Sequence, residues 1–312
     1  MSELVVPAWA WGLLAGVMLL LIAIDLIAHR GDHVDSRRRA LVWTVVWIAA
    51  AVVFGAVVAA WFGAEAAEQY FAAYLLEKSL SVDNLFVFVV VFGALDIPVS
   101  EQRRVLTWGI LGALVTRFAF IALGAAILER WHEVTYVFGA ILVVTALRLL
   151  RDGEGGSSRL LLWLERHLPW TRERAGHHFL VRRDGRWLAT PLLVALLAIE
   201  LTDVMFALDS IPAAFAVSNE PFVIYSSNVF AVLGLRALYA VLVGALAELR
   251  YLKYGLSAVL AFAGAKMLAA PWVKISPIAS VVVIGLVIGV AAGASVWVAR
   301  RDRRRRRNAA SS

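Results

Sequence analysis

Apolar residues run along this chain in long blocks, separated by short polar stretches rich in arginine. The blocks fall at about 9 to 28, 41 to 62, 70 to 92, 105 to 128, 134 to 150, 190 to 215, 223 to 246, 255 to 271 and 278 to 299. Most match the roughly 20 residues that carry a helix across a hydrocarbon core of about 30 Å. The pattern predicts an all-α membrane protein of about nine transmembrane helices, the fifth and eighth being the shortest. The first block begins almost at Met1, yet no basic stretch precedes it and no A-x-A-like site stands clear of it. It therefore reads as a retained helix rather than a signal peptide.

Composition agrees. The 312 residues are 62% hydrophobic with a mean hydropathy of +0.79, against roughly 45 to 50% apolar residues in a soluble domain. Loop charge then sets an orientation. Arg30, Arg37 to Arg39, Arg103, Arg104, the arginines from Arg151 to Arg186, Arg250 and Lys253 all fall on one side, while the opposite loops hold little beyond Arg130 and Lys274. This places the N-terminus outside and the C-terminus inside a bacterial inner membrane. Residues 1–300 are expected to form one transmembrane domain with a cytoplasmic loop at 151–189, followed by a basic tail at 301–312.

Within that loop, SRLLLWLERHLPW has the look of an interfacial helix. FLVRRDGRWLAT carries a hairpin signal at Asp184-Gly185, and Thr190-Pro191 reads as N-cap and first residue of the next helix. Most of the net charge of +7 comes from Arg300, Arg301 and Arg303 to Arg307. Such a run beside a membrane helix is expected to meet anionic lipids rather than nucleic acid.

The chain has no cysteine, which removes disulfides, thiolate metal sites and thiol redox relays together. His29, His33, His132, His167, His177 and His178 all fall in loops or at helix ends, so an imidazole site at membrane depth is not expected. No intramembrane Ser/His pair or HExxH motif is present, and an enzyme is not expected.

What remains is acidic. Asp25, Glu77, Asp83, Glu200, Asp203 and Asp209 lie along the apolar blocks. At about 2.5 to 3.5 kcal/mol per charged residue at a helix centre, six would cost on the order of 15 kcal/mol, more than many whole folding stabilities. Protons, internal bases or a bound cation must neutralise them.

Their spacing repeats. Glu77-x5-Asp83-Asn84 in EKSLSVDNLFVF returns as Asp203-x5-Asp209-Ser210 in ELTDVMFALDSIPAAF. Arg117 and Arg236 occupy matching places in the following blocks, and Arg148 and Lys266 in those after. By loop charge the two copies run in opposite directions, as in an inverted-repeat transporter of three plus three helices. The repeats cover 70–150 and 190–271. On a straight helix, residues six apart diverge by about 120° and ~9 Å. Glu77, Ser81 and Asn84 share a face, as do Asp203 and Ser210. Asp83 and Asp209 then either line a second position or require a broken helix, and Pro212, which frees the carbonyl of Leu208, favours a break in the second copy.

The competing reading is that these acids only bind helices together through Lys78, Arg117, Arg148, Arg236 and Lys266. Intramembrane ionisable groups mark ion pathways by default. Carboxylate, amide, hydroxyl and backbone oxygens suit Mn²⁺, Mg²⁺ or Ca²⁺, whereas soft ions call for Cys or Met.

At these residues the chain resembles the TerC (TerC/Alx-like) family of integral membrane proteins. The resemblance rests on EKSLSVDNLFVF, ELTDVMFALDSIPA with SNVFAVLGLRALY, LLAIDLIAHR and FLVRRDGRWLATP. It implies a membrane transporter linked to manganese efflux, in a family named for tellurium resistance. The metal-handling positions it implies are Glu77, Asp83, Asn84, Glu200, Asp203 and Asp209. Export of Mn²⁺ by alternating access, with protons exchanged, is the expected function and Mn²⁺ the expected cargo, with no permanently bound cofactor. A membrane scaffold in the tellurite or metal-stress response, or an oxyanion transporter working through Arg117 and Arg236, are the alternatives.

Overall fold

The computed structural model describes residues 6–28, 37–131, 133–151, 156–173, 176, 178–183, 185–242, 251–273 and 275–310. His29, His33, His132, His177, Asp184, Arg250 and Lys274 lie outside these. The side chain of Asp83 does as well, although its backbone is helical.

Among the described residues there are eleven helices and one hairpin. In order they are α1 (Ala8–Ala28), α2 (Arg37–Phe62), α3 (Ala64–Ala94), α4 (Val99–Arg130), α5 (Val134–Arg151), α6 (Gly156–His167), β1 (Leu180–Arg183), β2 (Arg186–Ala189), α7 (Pro191–Phe215), α8 (Pro221–Leu233), α9 (Leu235–Leu242), α10 (Leu252–Leu268) and α11 (Pro277–Ala310). Among the described residues, each of the nine apolar blocks falls mainly on helix. Among the described residues, six helical segments are long and apolar enough to cross a membrane: Ala8–Ile27, Arg38–Phe62, Val99–Arg130, Pro191–Phe215, Pro221–Val241 (α8 with α9) and Ile278–Val298. Val134–Arg148 and Tyr254–Leu268 are shorter apolar helices. The helix α3 has the length, 31 residues, but carries Glu65, Glu68, Glu77, Lys78 and Asp83.

The distribution of polarity is inverted relative to a water-soluble domain. Leu19, Val45, Val115, Leu286 and Val290 stand exposed on the outer helices, while Glu77, Asn84, Arg117, Ser210 and Asn228 are almost wholly buried. Burying charge while exposing aliphatic side chains is favourable where the surrounding solvent is lipid.

Packing centres on α3 and α7. Asn84 Nδ2 donates to Asp203 Oδ1 at 3.2 Å, and Ser218 Oγ donates to Gln69 Oε1 at 2.6 Å. Moving forward along α3 is thus moving backward along α7, so the two lie antiparallel. The same holds for α5 and α10. A Cβ on Gly139 would stand 3.1 Å from the Gly264 carbonyl, and Ser257 Oγ donates to the Ala146 carbonyl at 2.7 Å. In the register that aligns Arg148 with Lys266, Gly139 matches Ser257 and Ala146 matches Gly264. The two contacts are therefore images of one another. Likewise α3 packs on α8 as α7 packs on α4.

One local expectation is revised and two others are given detail. The helix α7 runs unbroken through Pro212 to Phe215; the proline forgoes its own bond to the Leu208 carbonyl, with only three helical residues after it. The break comes elsewhere, at Gly234 between α8 and α9, where Lys78 Nζ donates to the Ala231 carbonyl at 3.0 Å. Thr190 and Pro191 are the N-cap and first residue of α7, as expected, but the Thr190 hydroxyl donates to the carbonyls of His178 (2.8 Å) and Phe179 (3.1 Å) and makes no capping bond. It ties the hairpin to α7. In that hairpin Leu180 pairs with Ala189 and Arg183 with Arg186, and Gly185 adopts φ +78, as a tight turn requires.

Candidate functional site

Four side chains meet between α3, α4 and α7. Glu77 and Asn84 stand two turns apart on one face of α3, a consequence of their seven-residue spacing. Asp203 comes from α7 and Arg117 from the middle of α4. Arg117 donates through Nη1 to Glu77 Oε1, through Nη2 to Asp203 Oδ1 at 2.7 Å, and through Nε to Asp203 Oδ2 at 3.2 Å. Asn84 adds its amide to Asp203. All four are at least nine-tenths buried.

Two carboxylates share one guanidinium, so with both acids ionised the group keeps a net negative charge. Water is largely excluded, and such charges are tolerated only when each is paired and hydrogen-bonded. The Asp203 pair is bidentate, the stronger geometry. Glu77 is bound through one oxygen, and its Oε2 has no partner in full hydrogen-bond geometry among the described residues.

The other sequence candidates are distributed around this centre. Glu200 lies one turn before Asp203 on α7, with its carboxylate pressed against Gly112 of α4 and close to Gly109. A side chain at Gly112 would occupy the place its carboxylate takes. Asp209 does not join the group. It accepts from Thr145 Oγ1 of α5 at 2.8 Å, because the straight α7 carries it round and away from Asp203. Asp83 is on α3 beside Asn84, with its side chain outside the described residues. Among the described residues no three His, Asp or Glu side chains are grouped as a metal site. The arrangement offers two acids, an amide and a guanidinium.

Arg236 matches Arg117 in sequence but is used differently. Its guanidinium pairs with Asp25 Oδ2 of α1 at 2.8 Å and donates to Thr107 Oγ1 at 3.1 Å. Lys266 donates to Ser280 Oγ at 2.9 Å. Further along α3, a cavity of about 420 Å³ is lined by Phe92, Gly93, Asp96, Gln102 and Tyr239. There Tyr239 donates to Gln102, and Gln102 to the Ile97 carbonyl.

Sequence reasoning did not find the Gly112 notch, Thr145, or Lys78 as the donor at the helix break. The spacings Gly109-x3-Ala113 and Gly112-x3-Thr116 were the available signal for the first, since small residues at that interval mark close helix contact. Nothing local singles out Thr145.

Known proteins extend the picture. The chain is 45% identical over 295 residues to the uncharacterized membrane protein STKORF319 of Myxococcus xanthus, covering 93% of this chain and 92% of that one. It is 40% identical over 296 residues to Alx of Escherichia coli (strain K12), named as a candidate membrane-bound redox modulator, covering 90% and 91%. It is 36% identical over 313 residues to the uncharacterized membrane protein Mb2742 of Mycobacterium bovis, covering 92% and 78%. No solved structure matches the chain. Residues 62–303, which hold the buried acid and arginine group, match the family described as Integral membrane protein TerC family. The chain is a member of the TerC family of integral membrane proteins.

Proposed function

We propose that this protein exports manganese, or a hard divalent cation like it, from the cytoplasm across the bacterial inner membrane. The observation that carries the reading is the antiparallel pairing of α3 and α7, which brings Glu77, Asn84 and Asp203 together in a buried polar centre. Half-sites from two oppositely running helices are how an inverted repeat builds one site near the bilayer midplane. On this reading residues 70–150 and 190–271 are the repeats, the N-terminus is outside, and the 151–189 loop and the Arg-rich tail are cytoplasmic, the tail against anionic lipids.

Arg117 takes a specific part. While no metal is bound, its guanidinium supplies the positive charge that Glu77 and Asp203 require. A divalent ion competes for the same oxygens, so entry of the ion and release of the guanidinium are coupled. Asp83, Asp209 and Glu200 flank the centre as positions along the path, and protons are the proposed exchange ion. Alternating access follows from rocking one repeat against the other around this fixed centre.

The anion reading is weaker, because Arg117 and Arg236 already serve three carboxylates. Thiol redox chemistry, which the name of Alx would bring to mind, has no cysteine to run on. A scaffold that moves nothing makes a different forecast for cells. Deleting the protein under manganese load should raise cytosolic manganese, and Asp203→Asn should fail to restore it. Unchanged manganese in the deletion would favour the scaffold.

A further inference from the structure

Five buried side-chain atoms have no partner in full hydrogen-bond geometry among the described residues: Trp47 Nε1, Glu77 Oε2, Ser81 Oγ, Ser210 Oγ and Asn228 Oδ1; of these, Ser81 and Glu77 lie close enough to interact with each other. Leaving a buried polar atom unpaired costs about 1 to 3 kcal/mol, so orphans are expected to be scattered and few. Four of these are oxygens, each on a residue no more than 2% exposed.

The helix register places them. Asn84 faces Asp203, and Gln69 faces Ser218, across the antiparallel pair. Glu77 lies seven residues from Asn84 toward Gln69, and Ser210 lies seven from Asp203 toward Ser218. Both steps are two turns, about 10 Å, so Ser210 stands opposite Glu77. The repeat gives the same answer, since Glu77 matches Asp203 and Ser210 matches Asn84. Glu77 with Ser210 is the image of the observed Asp203 with Asn84. Ser81 is one turn from Glu77 on the same face of α3. Asn228 is one turn before Ala231 on α8, whose carbonyl accepts from Lys78, the neighbour of Glu77.

We infer that Glu77, Ser81, Ser210 and Asn228 form a second coordination position for a hard divalent cation, two turns outward from the Asn84 and Asp203 half of the site. One carboxylate oxygen, two hydroxyls and an amide oxygen are the donor types that Mn²⁺, Mg²⁺ and Ca²⁺ take. Arg117 lies between the two positions and binds the other oxygen of Glu77. An ion passing from Asp203 to the outer position exchanges one acid for the other, and Arg117 pairs with whichever acid the ion has left. This rests on the export reading for its direction, but its binding site can be tested without transport.

The test is Mn²⁺ titration of the full-length protein in detergent, following the free-ion paramagnetic resonance signal. Ser210→Ala with Asn228→Leu is expected to weaken Mn²⁺ binding at least about tenfold. The metal-free thermal midpoint should hold or rise, since the variant removes unpaired polar atoms. Ser227→Ala is the control. It lies on the same helix, but its hydroxyl already donates to the Ile224 carbonyl at 2.8 Å, and it should bind as wild type. If the double variant does not fold, Ser210→Ala alone should give a several-fold loss. Unchanged binding in these variants overturns the outer position and means that the oxygens hold ordered water only. Wild-type binding that the variants lose, without Mn²⁺ movement in vesicles, would keep the position and overturn export.

Discussion

Arg117 is the residue on which the buried charge turns. It answers both Glu77 and Asp203, so the three positions are not equivalent to mutation. Arg117→Gln leaves two carboxylates in a dry site without the guanidinium they share, and breaking a buried pair in this way costs about 3 to 5 kcal/mol. Asp203→Asn leaves one acid against one base, a balanced pair, and should cost less. Thermal unfolding in detergent checks this ordering, with Arg117→Gln expected to show the lower midpoint. The sequence made half of this group legible, because the seven-residue spacing puts Glu77 and Asn84 on one face whatever their neighbours. It did not say that Asp209 would turn to Thr145. That depended on whether Pro212 breaks α7, and a proline in the last turn reads locally like one in mid-helix.

Among the elements, α5 and α10 meet most closely. A Cβ on Gly264 would lie 2.8 Å from the Gly139 carbonyl and 3.0 Å from Leu142 Cβ. The first of these is backbone, which cannot swing aside as a flexible side chain would, so the helices must separate. Gly264→Leu is therefore expected to destabilise by about 1 to 3 kcal/mol, seen as a lower unfolding midpoint with the buried arginine pairs left intact. The break between α8 and α9 was not legible as a break, because residues 223 to 246 form one apolar block. Gly234 lies inside it without a proline, and the stabilising donor, Lys78, arrives from a helix distant in sequence. The hairpin at Gly185 was legible, since tight turns are set by adjacent residues.

For the whole molecule, hydropathy and the repeated acid motif carried the fold class and the family. Among the described residues, six helical segments meet the length and composition of a span where nine apolar blocks were read, because α5 and α10 are short and α3 is loaded with charge. The helix α3 packs antiparallel on α7, and α5 on α10; the proposed function reads these as two matched halves. Arg236 departs from that symmetry by pairing with Asp25 of α1, a helix outside the repeats, and no periodicity in the sequence announces it. That departure leaves a single arginine at the centre, where a strictly symmetric pair would have supplied two and cancelled both acids. In the proposed function, the resulting excess of negative charge is what draws a cation in. Purified protein in sealed liposomes, loaded with a Mn²⁺-quenched dye and given an imposed pH gradient, measures this directly. Wild type should quench the dye at a rate that saturates with Mn²⁺, and Asp203→Asn should quench no faster than empty liposomes. Equal rates for wild type and Asp203→Asn would contradict the account.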